Sequence, residues 1–114
     1  MILADHAVTD PPELEIIAHR GYSARAPENT LAALRAAIGA GADAVEFDVH
    51  VTADGVPVLF HDFTLERTST GRGRLDGADV ADLKRLDVGS WFGPAFAGER
   101  IATRREALDL LAPH

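Results

Sequence analysis

The 114-residue sequence contains no cysteine, one methionine, one tryptophan and one tyrosine, and its aromatic share is 6%. The missing cysteine excludes disulfide scaffolds, zinc sites of the cysteine type and thiol catalysis. No apolar run reaches the length of a membrane-spanning helix. The first fifteen residues carry acids and prolines where a secretory signal would carry a basic end and an apolar stretch, so a cytoplasmic location is the expectation. Positive charge is also scarce. Eleven Lys+Arg stand against eighteen Asp+Glu, for a net charge of −7 and a pI near 5.0. That is the wrong sign for a domain that neutralises nucleic-acid phosphates.

What is present is ordinary for a globular chain: 46% hydrophobic and 25% charged residues. The length suits one core and is too short for a complete large barrel. Residues 1–13 read as a leader, because Asp10, Pro11 and Pro12 propagate neither helix nor central strand. Residues 14–18 form a compact apolar run suited to a strand buried on both faces, ending at His19-Arg20-Gly21. Asn29 or Thr30 caps a helix with Leu31, Leu34 and Ile38 on one face, and Gly39 and Gly41 stop it. Residues 44–51 alternate, with Val45, Phe47, Val49 and Val51 on one face and Glu46, Asp48 and His50 on the other. Strand, helix and strand in this order predict a parallel pair whose C-terminal ends lie together.

Asp54-Gly55 then signals a hairpin that sends residues 56–60 back antiparallel. A two-residue loop sets His61 opposite Asp48, and a four-residue loop sets it opposite Glu46; either places His61 on the carboxylate face. Farther on, Asp76 or Asp79 caps a short helix with Val80, Leu83 and Leu86 on one side. Residues 89–98 read as a packed loop, and Thr103 and Glu106 have the spacing of a capping box.

Glu46 and Asp48, two residues apart on an otherwise apolar strand, repel each other unless a cation lies between them. Alone, such a pair is most simply a solvated face. With His61 on the same face, oxygen ligands point to a hard divalent ion, Ca2+ or Mg2+, and the imidazole to proton transfer. His19 closes the first strand at the end where α/β folds place ligands. Arg20 offers a bidentate fork for a phosphate or carboxylate, a salt bridge to Glu28 being the competing use, and Gly21 admits close backbone approach. Arg67, Arg72 and Arg74 lie in a glycine-broken loop that reads as solvated. Trp91, Phe92 and Phe96 read as core packing. His50 lies toward the hairpin tip, and His6 and His114 receive no role.

In order, the His19-Arg20-Gly21 triplet, Pro27-Glu28-Asn29-Thr30, Glu46-x-Asp48, TADG at 52–55 and His61-Asp62 closely resemble the glycerophosphodiester phosphodiesterase family. The resemblance continues through T-L-x-R-T at 64–68, LKRLDVGSWF at 83–92 and F-x-G-E-R-I at 96–101. It implies an α/β fold, the N-terminal part of a phosphatidylinositol-phospholipase-C-like TIM (β/α)8 barrel with a β-hairpin excursion after the second strand. Residues 14–114 would then be a partial domain, cut before the third barrel strand.

The implied reaction is hydrolysis of a small glycerophosphodiester to glycerol 3-phosphate and an alcohol, with a divalent cation, Ca2+ or Mg2+. His19 and His61 become the acid/base pair, Arg20 a phosphate contact, and Glu46 and Asp48 metal ligands. The sequence departs from the family at Ala102, Arg104 and Arg105, where proline, leucine and an acid are usual. The family also draws a third carboxylate and a lysine from a strand that would follow the last helix. The alternative reading is a non-catalytic fragment or a module that binds phosphate and cation without turnover.

Overall fold

The computed structural model describes Ile2–Leu3 and residues 15–114. Its elements in chain order are β1 (Ile2–Leu3), β2 (Ile17–His19), α1 (Leu31–Gly39), β3 (Ala44–Glu46), β4 (Val49–Val51), β5 (Pro57–Leu59), α2 (Val80–Leu83) and α3 (Arg104–Leu111). β1, β3 and β2 form a parallel sheet in that order, and β4 pairs antiparallel with β5. No closed barrel is present among the described residues. The strand–helix–strand unit β2–α1–β3 has the expected parallel pairing, with His19 beside Glu46 at the C-terminal ends.

Three expectations about the strands are corrected. Ile2 and Leu3 pair with Ala44 and Val45, so a strand lies inside the stretch read as a leader. The rest of that leader, and Leu14, lie outside the described residues.

Second, residues 44–51 are two strands in two sheets. The Asp48 N–H donates to Asn29 Oδ1 at 3.0 Å instead of to a neighbouring strand, while its carbonyl accepts from Phe60 N–H. The chain turns there. Val49 and Val51 therefore do not continue the buried face of Val45 and stand 40% and 52% exposed.

Third, the β4–β5 loop has three residues. Val49, His50 and Val51 pair with Leu59, Val58 and Pro57, and Thr52 N–H bonds Val56 O across the end. Gly55 takes a left-handed φ of 82°, as a three-residue hairpin loop ending in a bulge requires. Continuing this odd register sets Phe60 opposite Asp48 and His61 opposite Phe47, so neither even loop applies.

Two apolar cores flank β5. Leu59 joins Leu34, Ala37, Val45, Ala107 and Leu111 under α1 and α3. Val58 and Phe60, pointing the other way, join Leu65, Leu75, Leu83 and Ile101. Strand alternation thus lets one short strand seal both clusters. The far side of β5 is also covered, since Leu59 N–H donates to Ala102 O at 2.8 Å.

Thr30 caps α1 through Ala33 N–H, and Thr103 and Glu106 complete a capping box on α3. α2 follows Asp79, which makes no side-chain cap. The loop at 89–98, expected to be packed with Trp91, Phe92 and Phe96 in the core, is instead mostly exposed: Gly89 alone is buried in it, Trp91 stands 42% exposed, and none of the three aromatic residues joins either core. Asp87 accepts from the N–H groups of Gly89, Ser90 and Gly98, which hold its carboxyl well below the usual carboxylate range. Phe92 packs edge-to-face against both Trp91 and Phe96.

Gly21 has φ +76°, and a Cβ there would lie 2.7 Å from Ala33 Cβ and 2.8 Å from its carbonyl carbon. Gly55 shares the left-handed φ but faces open space. Gly21→Ala is expected to cost about 3 kcal/mol from backbone strain plus overpacking, and Gly55→Ala about 1 kcal/mol from strain alone. Denaturant midpoints of the two variants against wild type check the difference.

Candidate active site

His19 and Glu46 close adjacent parallel strands, which brings them to one edge of the sheet. Their side chains approach to 3.7 Å between Nε2 and Oε1, with His19 66% exposed. The chain then makes a tight left-handed step: Arg20 has φ 56° and Gly21 φ 76°. A non-glycine residue adopts this region at a cost, and here the step is held from several sides. The Arg20 N–H donates to Glu46 Oε1 at 3.1 Å, the Gly21 N–H to Glu46 O, and the Arg20 carbonyl accepts from Asn29 N–H.

Asn29 is 3% exposed and also left-handed, with φ 57°. Its amide clamps Asp48 from both ends: Nδ2 donates to Asp48 Oδ2, and Oδ1 accepts from Asp48 N–H, each at 3.0 Å. The residue read as one of two candidate helix caps is thus the support of a site carboxylate, and Thr30 is the cap.

Arg20 turns its side chain inward. Nη1 donates to Glu28 Oε2 at 3.2 Å, so the competing salt bridge is present. Nε lies 3.5 Å from Asp48 Oδ2, is buried, and has no hydrogen-bond partner. A buried unpaired donor beside a carboxylate is costly unless a further anionic oxygen meets it.

His61 takes a different route to this group from the one its predicted register gives. Its Nδ1 lies 2.7 Å from Asp62 Oδ1. Asp62 accepts two bonds from Arg67, whose guanidinium reaches on to Glu28. The Arg67 fork and then the His61 ring hold the Asp62 carboxyl well below the usual carboxylate range. A chain of contacts therefore runs from His19 through Glu46, Arg20, Glu28, Arg67 and Asp62 to His61. His50, given no role from sequence, donates from Nε2 to the His61 carbonyl at 2.8 Å and packs its ring edge-on against Phe63.

Four carboxylates, those of Glu28, Glu46, Asp48 and Asp62, thus stand against two guanidiniums. The surplus of two negative charges sits toward Glu46 and Asp48, which touch only Arg20 and His19 among the charged groups. Glu46 Oε2 and Asp48 Oδ1 accept no hydrogen bond among the described residues. Hard anionic oxygens with this balance fit a divalent cation in kind. Among the described residues, no cluster of three or more His, Asp and Glu side chains could hold a metal. A mainly apolar groove of about 420 Å³ runs beside β2 and adjoins the site, its lining including Ile16, Ile17, Ala18, His19, Tyr22 and Ser23.

The profile of the glycerophosphoryl diester phosphodiesterase family matches residues 19–114. The chain belongs to that family. It is 47% identical over 96 residues to the glycerophosphodiester phosphodiesterase of Caldanaerobacter subterraneus, covering 84% of this chain and 40% of the relative. It is 49% identical over 94 residues to rat glycerophosphodiester phosphodiesterase 1, covering 81% of this chain and 28% of the relative. Among solved structures, an Oleispira antarctica phosphodiesterase in complex with its product sn-glycerol-3-phosphate superposes with a TM-score of 0.85. That match has 46% identity and covers 88% of this chain and 40% of the other. The Agrobacterium tumefaciens glycerophosphodiester phosphodiesterase gives 0.86 at 39% identity, covering 89% and 44%.

The chain spans about two fifths of the length of the first curated relatives it matches. Members of the glycerophosphodiester phosphodiesterase family are TIM-barrel folds, and the described residues form an α/β part of one. No helix among them is long and apolar enough to cross a membrane.

Sequence reasoning gave no site role to Glu28, Asn29, Asp62 or Arg67. All four lie in motifs that carried the family resemblance, and that was the available signal. Asn29→Ala removes both bonds to Asp48, leaves the Asp48 N–H unpaired and keeps a left-handed backbone. It is expected to cost about 2–3 kcal/mol, read as a lower denaturant midpoint. Asn29→Asp, which places a second carboxylate on Asp48, should cost more.

Proposed function

We propose that this chain supplies the N-terminal catalytic portion of a glycerophosphodiester phosphodiesterase, as the first strands of a TIM barrel of the phosphatidylinositol-phospholipase-C type. In this reading the β4–β5 pair is an excursion from the barrel wall. The observation that carries the proposal is the contact chain joining His19 to His61 at the C-terminal ends of β2 and β3, where barrel enzymes hold their substrates. The product held by the Oleispira relative, sn-glycerol-3-phosphate, supports the substrate class.

The reaction is hydrolysis of the phosphodiester to glycerol 3-phosphate and an alcohol. One imidazole takes the proton of the attacking oxygen as its bond to phosphorus forms. The other protonates the leaving alcohol oxygen as that bond breaks. With Nδ1 on Asp62, His61 presents Nε2 for this exchange, and His19 stands exposed at the strand end. Arg20, its Nε 3.5 Å from Asp48, would bring its positive charge to bear on a phosphate oxygen as charge builds in the transition state. Glu46 and Asp48 would hold a divalent cation, Ca2+ or Mg2+, which when bound supplies positive charge against the phosphate oxygens.

Two carboxylates leave most of a Ca2+ or Mg2+ shell to water, so residues 1–114 alone are expected to position a phosphate poorly. The span of two fifths of the relatives' length favours, for this chain in isolation, binding without turnover. Glycerol 3-phosphate release from glycerophosphocholine tests both readings. Residues 1–114 should release little or none. A chain completed with the remainder of the Caldanaerobacter relative should be active and lose activity on chelation, with His19→Ala as the control. Robust release by residues 1–114, abolished by His19→Ala, would overturn the cation-shell argument, and an inactive completed chain would overturn the enzyme reading.

A further inference from the structure

Arg67 lies in a loop whose arginines read as solvated charge from sequence, yet its guanidinium makes four hydrogen bonds to carboxylates. Nε donates to Asp62 Oδ2 at 2.8 Å and Nη2 to Asp62 Oδ1 at 3.0 Å. Nη1 donates to Glu28 Oε1 at 3.0 Å and Nη2 to Glu28 Oε2 at 2.9 Å. Each carboxylate is gripped in a two-bond fork, so its plane is fixed as well as its position. The two carboxylates come from loops 34 positions apart in sequence.

Asp62 Oδ1 faces His61 Nδ1 at 2.7 Å, and Glu28 Oε2 also accepts from Arg20. We propose that Arg67 is a positioning residue: it fixes the Asp62 carboxylate so that His61 carries its proton on Nδ1 and presents Nε2, and it locks Arg20 into the same frame through Glu28. This rests on the catalytic role given to His61 above. The imidazole tautomer is set by the bond its other nitrogen makes, so orienting the carboxylate orients the base. Lysine, a point charge on a flexible stem, cannot hold two carboxylate planes at once.

An ordinary exposed ion pair would contribute to stability and little else. The test therefore reads the ring itself. The ¹⁵N shifts of the His61 imidazole are recorded in residues 1–114 at a pH where imidazoles are neutral, for wild type, Arg67→Lys, Arg67→Ala and Asp62→Ala. Wild type should be almost wholly the Nδ1–H tautomer. Arg67→Ala should give a tautomer mixture close to that of Asp62→Ala, with Arg67→Lys between it and wild type.

In the chain completed as above, Arg67→Ala should lower kcat about tenfold, the scale on which losing an outer partner that orients a functional imidazole acts. KM for glycerophosphocholine should stay within about twofold, and the Arg67→Ala/Asp62→Ala double variant should be no slower than Asp62→Ala. An unchanged His61 tautomer in both Arg67 variants overturns the proposal, as does a raised KM with kcat held. The tautomer readout needs no activity, so a completed chain that proves inactive removes the enzyme reading while the tautomer still decides the role of Arg67.

Discussion

Everything at the C-terminal end of β2 and β3 follows from having to hold four carboxylates close together. Glu28, Glu46, Asp48 and Asp62 would drive one another apart, or take up protons, without compensation. Arg20 and Arg67 supply two positive charges, each placed between carboxylates from different loops. The compensation is incomplete by two charges, and the shortfall lies at Glu46 and Asp48. In the function proposed above, that imbalance is what would attract a dication and, through it, a phosphate diester.

The backbone is shaped to make this crowding possible. Arg20, Gly21 and Asn29 all adopt left-handed φ values within ten residues, which curls the segment between β2 and α1 against β3. The curl is closed by Asn29 N–H on the Arg20 carbonyl and by Tyr22 N–H on Ala33 O. Gly21 is the point of closest approach, where a single methyl group would collide with α1. The same Asn29 that turns the segment takes the Asp48 N–H out of the sheet. The strand therefore ends before Asp48, which leaves that carboxylate free of strand geometry.

Much of this was legible in the sequence. The parallel β2–α1–β3 unit follows from an apolar run, a capped amphipathic helix and a second apolar run, and the neighbouring positions of His19 and Glu46 follow from it. The capping box at Thr103 and Glu106 is a local pattern with a local cause, so it survives folding unchanged. The alternation over 44–51 misled because a period of two says which residues share a face only while the strand continues. A side chain 19 positions away ends it.

The hairpin register failed for a related reason. Asp54-Gly55 fixes where the turn lies, but loop length depends on which residue takes the left-handed position, and here that is Gly55 at the end of a three-residue loop. The roles of Arg67 and Asp62 were hidden because paired charges on separate loops leave no periodic trace. Only the ordered motifs shared with the family marked those positions as constrained.

The measurement that bears most directly on the charge imbalance is calorimetric titration of residues 1–114 with Ca2+ and Mg2+, comparing wild type, Asp48→Asn and His61→Ala. Two hard anionic ligands predict weak but measurable binding to wild type, loss of binding in Asp48→Asn, and near-wild-type affinity in His61→Ala, since only the first removes a carboxylate from the deficit. Equal affinity of wild type and Asp48→Asn for both ions would contradict the assignment of the surplus charge to a cation site.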